Sequence, residues 1–93
     1  MPVYNPPVKD TRFVYEAVVH LDHYSNLPGF ESASADLVDA VLEEGGKFAA
    51  EVMAPLNQIG DVQGCTRHPD GSVTTPEGFK AAYEQFVAGG WPT

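Results

Sequence analysis

Two histidines three residues apart, His20 and His23, are the first side chains able to hold a metal, with Glu16 one turn before His20 and Asp22 between the pair. A zinc-type centre needs a third or fourth ligand converging on the imidazoles, and no other stretch of the chain points to one. The pair therefore reads as polar residues on an exposed helix face. Cys65 is followed by Arg67 and His68, and a thiol beside two potential cations is the pattern of an activated nucleophile. Nucleophilic catalysis also needs an oxyanion site and a cleft, and a short hairpin offers little concavity. Glu43, Glu44 and Glu51 suggest paired carboxylates, but the helical count puts them on the polar side, as a solvated face. Gly45-Gly46 falls inside a helix and Gly89-Gly90 lacks a strand-turn-helix context, so neither makes a phosphate cradle. No catalytic, cofactor-binding or metal-binding residue is assigned.

The elements that would carry these residues are few. Ninety-three residues with 43% hydrophobic content suit one small domain. Chains this short bury a smaller fraction of their surface than larger ones do, and a lone cysteine rules out an internal disulfide as support. A missing packing partner is therefore expected. The formal charge of −8 comes from 13 acids against 5 Lys and Arg, which argues against nucleic acid and anionic membrane as partners. No secretory signal is visible, and the apolar runs fall far short of the ~20 residues of a membrane span. The expected setting is soluble and cytoplasmic.

The fold expected is mainly α: about three helices, one of them long and bent, with a short β-hairpin between the second and third. Residues 1–8 hold three prolines and read as an extended arm, with Tyr4 and Val8 available for burial. Asp10 is the expected cap of a first helix running from Thr11 towards Tyr24. At about 100° per residue, Phe13, Val14, Ala17, Val18, Leu21 and Tyr24 share its apolar face, opposite Arg12, Glu16 and His23. Leu27-Pro28-Gly29-Phe30 then makes a turn.

The long helix is expected over residues 35–59, capped by Ser34, with Leu37, Val41, Phe48, Val52, Leu56 and Ile59 on an arc of roughly 160°. Gly45 lies within that arc, where a missing side chain admits another backbone. Pro55 crowds the carbonyl of Glu51 and predicts a kink. Gly60 to Gly64 should end the helix. His68-Pro69-Asp70-Gly71 between Cys65-Thr66-Arg67 and Ser72-Val73-Thr74 predicts a hairpin. Thr75 with Pro76 predicts the start of a third helix, striped by Phe79, Ala82, Tyr83, Phe86 and Val87 and stopped at Gly89-Gly90. Trp91 follows as a large apolar ring in need of a site.

The stretch GGKFAAEVMAPLNQIGD, with Phe48-Ala49, Pro55-Leu56-Asn57 and Gly60-Asp61, resembles a helix in the first domain of the acyl-CoA dehydrogenases. FKAAYEQFVAGGW is similar to the helix that follows it in that family. VYNPPVKDTRFVYEAV, DLVDAVLEEGGKF and GCTRHPDGSVTTPEGF resemble segments of one bacterial subgroup, which includes the methylthiopropanoyl-CoA dehydrogenases. The resemblance covers essentially the whole chain. It implies that residues 1–93 are the amino-terminal helical domain of an FAD-dependent oxidoreductase that converts an acyl-CoA thioester to the 2-enoyl-CoA. In that family flavin and catalytic glutamate belong to later domains, so the implied role here is a structural cap, not catalytic by itself. The implied partners are those remaining domains, with acyl-CoA as substrate of the whole enzyme, or a second copy of the chain through its apolar helix faces. The alternative is a stand-alone helical interaction module derived from the same cap.

Overall fold

The computed structural model describes residues 3–92. Four α-helices and one two-stranded hairpin succeed one another: α1 (Val8–Phe13), α2 (Ala35–Phe48), α3 (Ala54–Gln63), β1 (Thr66–Arg67), β2 (Val73–Thr74) and α4 (Phe79–Ala88). A π turn, Val14–Val18, extends α1, and a second, Ala49–Met53, joins α2 to α3 in a helical run of 29 residues. The mainly helical class, the single long helix and the hairpin before the last helix are all as expected. The chain falls into two compact units, one of Tyr4–Ala49 and one built mainly of Ala50–Thr93.

In the Tyr4–Ala49 unit, α1 begins earlier than Asp10 predicts. Pro7 is its cap residue, its carbonyl accepts both the amide and the hydroxyl of Thr11, and Asp10 lies in the first turn. Of the expected arm, residues 1 and 2 lie outside the described residues, 3–7 form no regular element, and Val8 already belongs to α1. Pro6 and Val8 pack where a side chain on Gly46 would be, with the ring of Pro6 3.1 Å from the position of a β-carbon there. The close approach recorded on this helix is thus at the neighbour of Gly45, and it is made by side chains. The first helix also stops sooner than its apolar period suggests. After the π turn, His20 takes a left-handed conformation (φ 54°, ψ 59°), and Leu21–Tyr24 form a separate 3-10 turn. Leu27-Pro28-Gly29-Phe30 closes as expected: the Phe30 amide donates to the Leu27 carbonyl, with Gly29 at φ 87°. Ser34 caps α2, its hydroxyl accepting from the Leu37 amide at 3.2 Å.

In the other unit the helix runs on through Gly60 to Gln63 and ends at Gly64. Gly60 is where Phe79 approaches: a β-carbon there would lie 2.7 Å from the tip of its ring. The hairpin pairs Thr66 with Thr74 and Arg67 with Val73, so Cys65 and Ser72 stand outside the strands. Its turn is held by the Gly71 amide on the His68 carbonyl and by Asp70, which accepts from the Ser72 amide and hydroxyl. The last helix starts later than Thr75-Pro76 predicts. Gly78, left-handed at φ 88°, is its cap residue and lies against Leu56, while the Glu77 amide donates to the side-chain oxygen of Gln63. The starting signal at Pro76 is overridden because residues 75–78 are used to reach α3. Pro76 is itself buried.

Candidate functional site

The side chains that could do chemistry fall on separate elements. His20 sits at the left-handed corner that ends the first helix, and the 3-10 turn after it carries Asp22 and His23. The corner folds the chain back, with the His23 amide donating to the His20 carbonyl at 2.9 Å, so that the two imidazoles stack 5.1 Å apart and 13° from parallel. Asp22 joins them. One ligand atom from each of His20, Asp22 and His23 lies within 4.8 Å of the other two, and all three residues are exposed. Regular α-helical spacing would have sent Asp22 to another side, which is why the sequence pattern did not supply this third ligand. His20 in a left-handed conformation is the signal that could not be read in advance.

Close by, within the same unit, lies an open cavity of about 570 Å³, lined among others by Arg12, Glu16, Leu21, Asp22, Phe30 and Asp39. Its cation is committed. The Arg12 guanidinium donates to Asp39 at 2.6 Å and has Glu43 at 3.9 Å. With Glu16, Asp22, Glu31 and Asp39 around one paired arginine, the lining is acidic overall and repels phosphate or carboxylate ligands. The same ion pair corrects the expected facing of the first helix. Arg12, expected on the solvent side, is turned to α2, whereas Phe13 and Val18, expected inside, are 63% and 64% exposed. An acidic neighbour attracted the arginine, and the apolar stripe was left without a cover in this chain.

The thiol of Cys65 is exposed. His68, expected near it, shares a 2.6 Å hydrogen bond with the Thr74 hydroxyl across the hairpin. Sequence proximity alone does not couple the imidazole to the sulfur. Asp70 is held below the ordinary carboxylate range, first by the Ser72 hydroxyl and then by the Ser72 amide. Glu43, Glu44 and Glu51 are exposed, as a solvated face would be, and Glu44 pairs loosely with Lys47 at 4.0 Å. Neither glycine pair fits a dinucleotide phosphate. Gly46 is covered by Pro6 and Val8, and Gly89 by the Trp91 ring, 3.1 Å from where a β-carbon would be.

Many large apolar side chains are exposed on both units. Apart from Pro76, no apolar side chain among the described residues is buried. On the last helix Tyr83 is 64% exposed, and Met53 and Val62 of the same unit are 55% and 76% exposed. In the first unit, Leu37 and Val41 of α2 are also exposed. Isolated apolar side chains on a surface are ordinary, but runs of them along several helices mark places where something else packs. No helix among the described residues is long and apolar enough to cross a membrane.

No protein-family model matches the chain. Among curated proteins, the 3-methylmercaptopropionyl-CoA dehydrogenase of Ruegeria pomeroyi is 41% identical over 88 residues. That match takes in 95% of this chain and 15% of the relative's length. The resemblance found in the helix motifs is thereby shown across nearly the whole sequence.

Proposed function

Since this chain is homologous to a segment of an acyl-CoA dehydrogenase, we propose that it is the amino-terminal helical cap of such an enzyme, and that its work is structural. The observation that carries the proposal is the reach of the match: 95% of this chain corresponds to 15% of the dehydrogenase. The activity implied is oxidation of an acyl-CoA thioester to the 2-enoyl-CoA with FAD as electron acceptor, in a cytoplasmic setting. The residues present do not fit a flavin, because Gly46 and Gly89 are covered and the cavity beside Arg12 carries four acids against one paired arginine, which disfavours a pyrophosphate. Flavin and substrate chemistry therefore belong to the other domains, and no catalytic step is assigned to residues of this chain.

What the chain contributes is surface. Phe13 and Val18 in one unit, and Met53, Val62 and Tyr83 in the other, present apolar area for the remaining domains to cover. At about 25 cal/mol per Å² of apolar surface removed from water, covering even a few of these side chains supplies several kcal/mol of docking energy.

The proposal is tested with the remainder of the Ruegeria dehydrogenase, produced without its matching segment and checked as folded by circular dichroism. The chain should form a one-to-one complex with it, and the chain alone should be colourless. Stoichiometric flavin on the isolated chain, or no complex with the folded remainder, would overturn the cap reading.

A further inference from the structure

The corner that ends the first helix gathers three donors of one chemical type of site. We propose that His20, Asp22 and His23 bind a divalent transition-metal cation of the zinc class. The geometry is the first support: a ligand atom from each residue lies within 4.8 Å of the other two. Donors on one tetrahedral ion at ~2.1 Å each stand ~3.4 Å apart, so side-chain rotations that bring the atoms at most about 1.4 Å closer complete the set. Exposed side chains make such rotations freely.

The backbone is the second support. His20 is the one non-glycine residue among those described with a positive φ. A left-handed conformation is uncommon for such a residue, and strained positions of this kind gather at functional sites. Here the corner has a specific consequence. It leads into the 3-10 turn in which the His23 amide reaches the His20 carbonyl, and it stacks the two rings 5.1 Å apart. The Asp22 carboxylate stands 3.9 Å from His23, beyond hydrogen-bond reach, and is left available to an ion.

The donor set selects the ion. Two imidazole nitrogens and one carboxylate oxygen suit zinc, nickel or copper(II), whereas magnesium and calcium favour all-oxygen sets and copper(I) favours sulfur. Three protein ligands on an exposed turn leave the remaining positions to water. The site is thus built for reversible uptake, not for a closed structural centre.

Zn²⁺ is the probe. Calorimetric titration of the full chain should show saturable uptake of one ion, unchanged in Cys65→Ser, which removes the only thiol. His20→Asn and His23→Asn should each weaken uptake about tenfold or more, and Asp22→Asn by a smaller factor. Because all three residues are exposed, circular dichroism of the variants should match the parent chain. Imidazole proton resonances of His20 and His23 should shift at substoichiometric Zn²⁺ while those of His68 stay in place. No saturable uptake by the parent chain, uptake indifferent to both histidine substitutions, or uptake lost in Cys65→Ser would overturn the proposal.

Discussion

Individual residues divide sharply into those whose role follows from local chemistry and those whose role depends on what the backbone does. Ser34 belongs to the first kind. A serine before an apolar period is a cap by its own chemistry, and it accepts from the Leu37 amide as expected. Ser34→Ala should lower stability by about 1 kcal/mol in chemical denaturation, with Ser34→Asn nearly neutral. Asp70 is similar, since its hold on Ser72 is contained within the turn. Its folded value lies below the ordinary one of ~3.9. Its contribution is therefore complete above that ordinary value and is lost as pH falls through the lower folded value. An NMR titration should give Asp70 a depressed midpoint that Ser72→Ala restores to the ordinary range. Asp22 is of the second kind. Nothing in the order His-Leu-Asp-His says that position 20 turns left-handed, so its meeting with both imidazoles was not legible. Arg12 is another: the helical count put it in solvent, but the charges that decide its facing are on α2.

At the scale of elements, period and punctuation were readable, while exact starts and stops depended on contacts. The apolar phase across Pro55 correctly implied one helix. The strain expected there is accommodated by the π turn Ala49–Met53, a wider turn that makes room for a ring which would otherwise crowd the Glu51 carbonyl. Pro76 illustrates the opposite case. It carries a good local signal for helix start, yet α4 waits until Phe79 because Gly78 must first turn left-handed beside Leu56. Gly78→Ala tests that account. The substitution strains φ and places a β-carbon 2.8 Å from a Leu56 methyl, so it should cost about 1–3 kcal/mol. Gly29→Ala shares the backbone penalty but meets open space, so it should cost less. Thermal melts of the two variants separate conformational strain from crowding.

For the whole molecule, the deciding fact is what remains uncovered. Helix periodicity predicts which residues want burial, but not whether this chain contains enough surface to bury them. Phe13, Val18, Met53, Val62 and Tyr83 all sit on apolar stripes or beside them, and all are more than half exposed. A sequence rule that sends apolar stripes inward fails here for a physical reason: no other part of the described chain covers them, and the cap proposal assigns their cover to the remaining domains. Two consequences follow from the cost of wetting such faces. An apolar dye should bind the monomer, and association should rise with concentration, because exposed patches beyond a few hundred Å² tend to find partners. Tyr83→Lys and Val18→Lys place a charge on an exposed stripe without emptying any buried site. Each should reduce self-association in sedimentation runs while shifting the melting midpoint little, since surface substitutions usually stay within about 0.5 kcal/mol. If the chain stays monomeric at high concentration and binds no dye, the apolar stripes are not docking faces and the cap reading loses its energetic basis. If either lysine substitution instead unfolds the chain, that stripe belongs to an internal core in solution and is not a docking face.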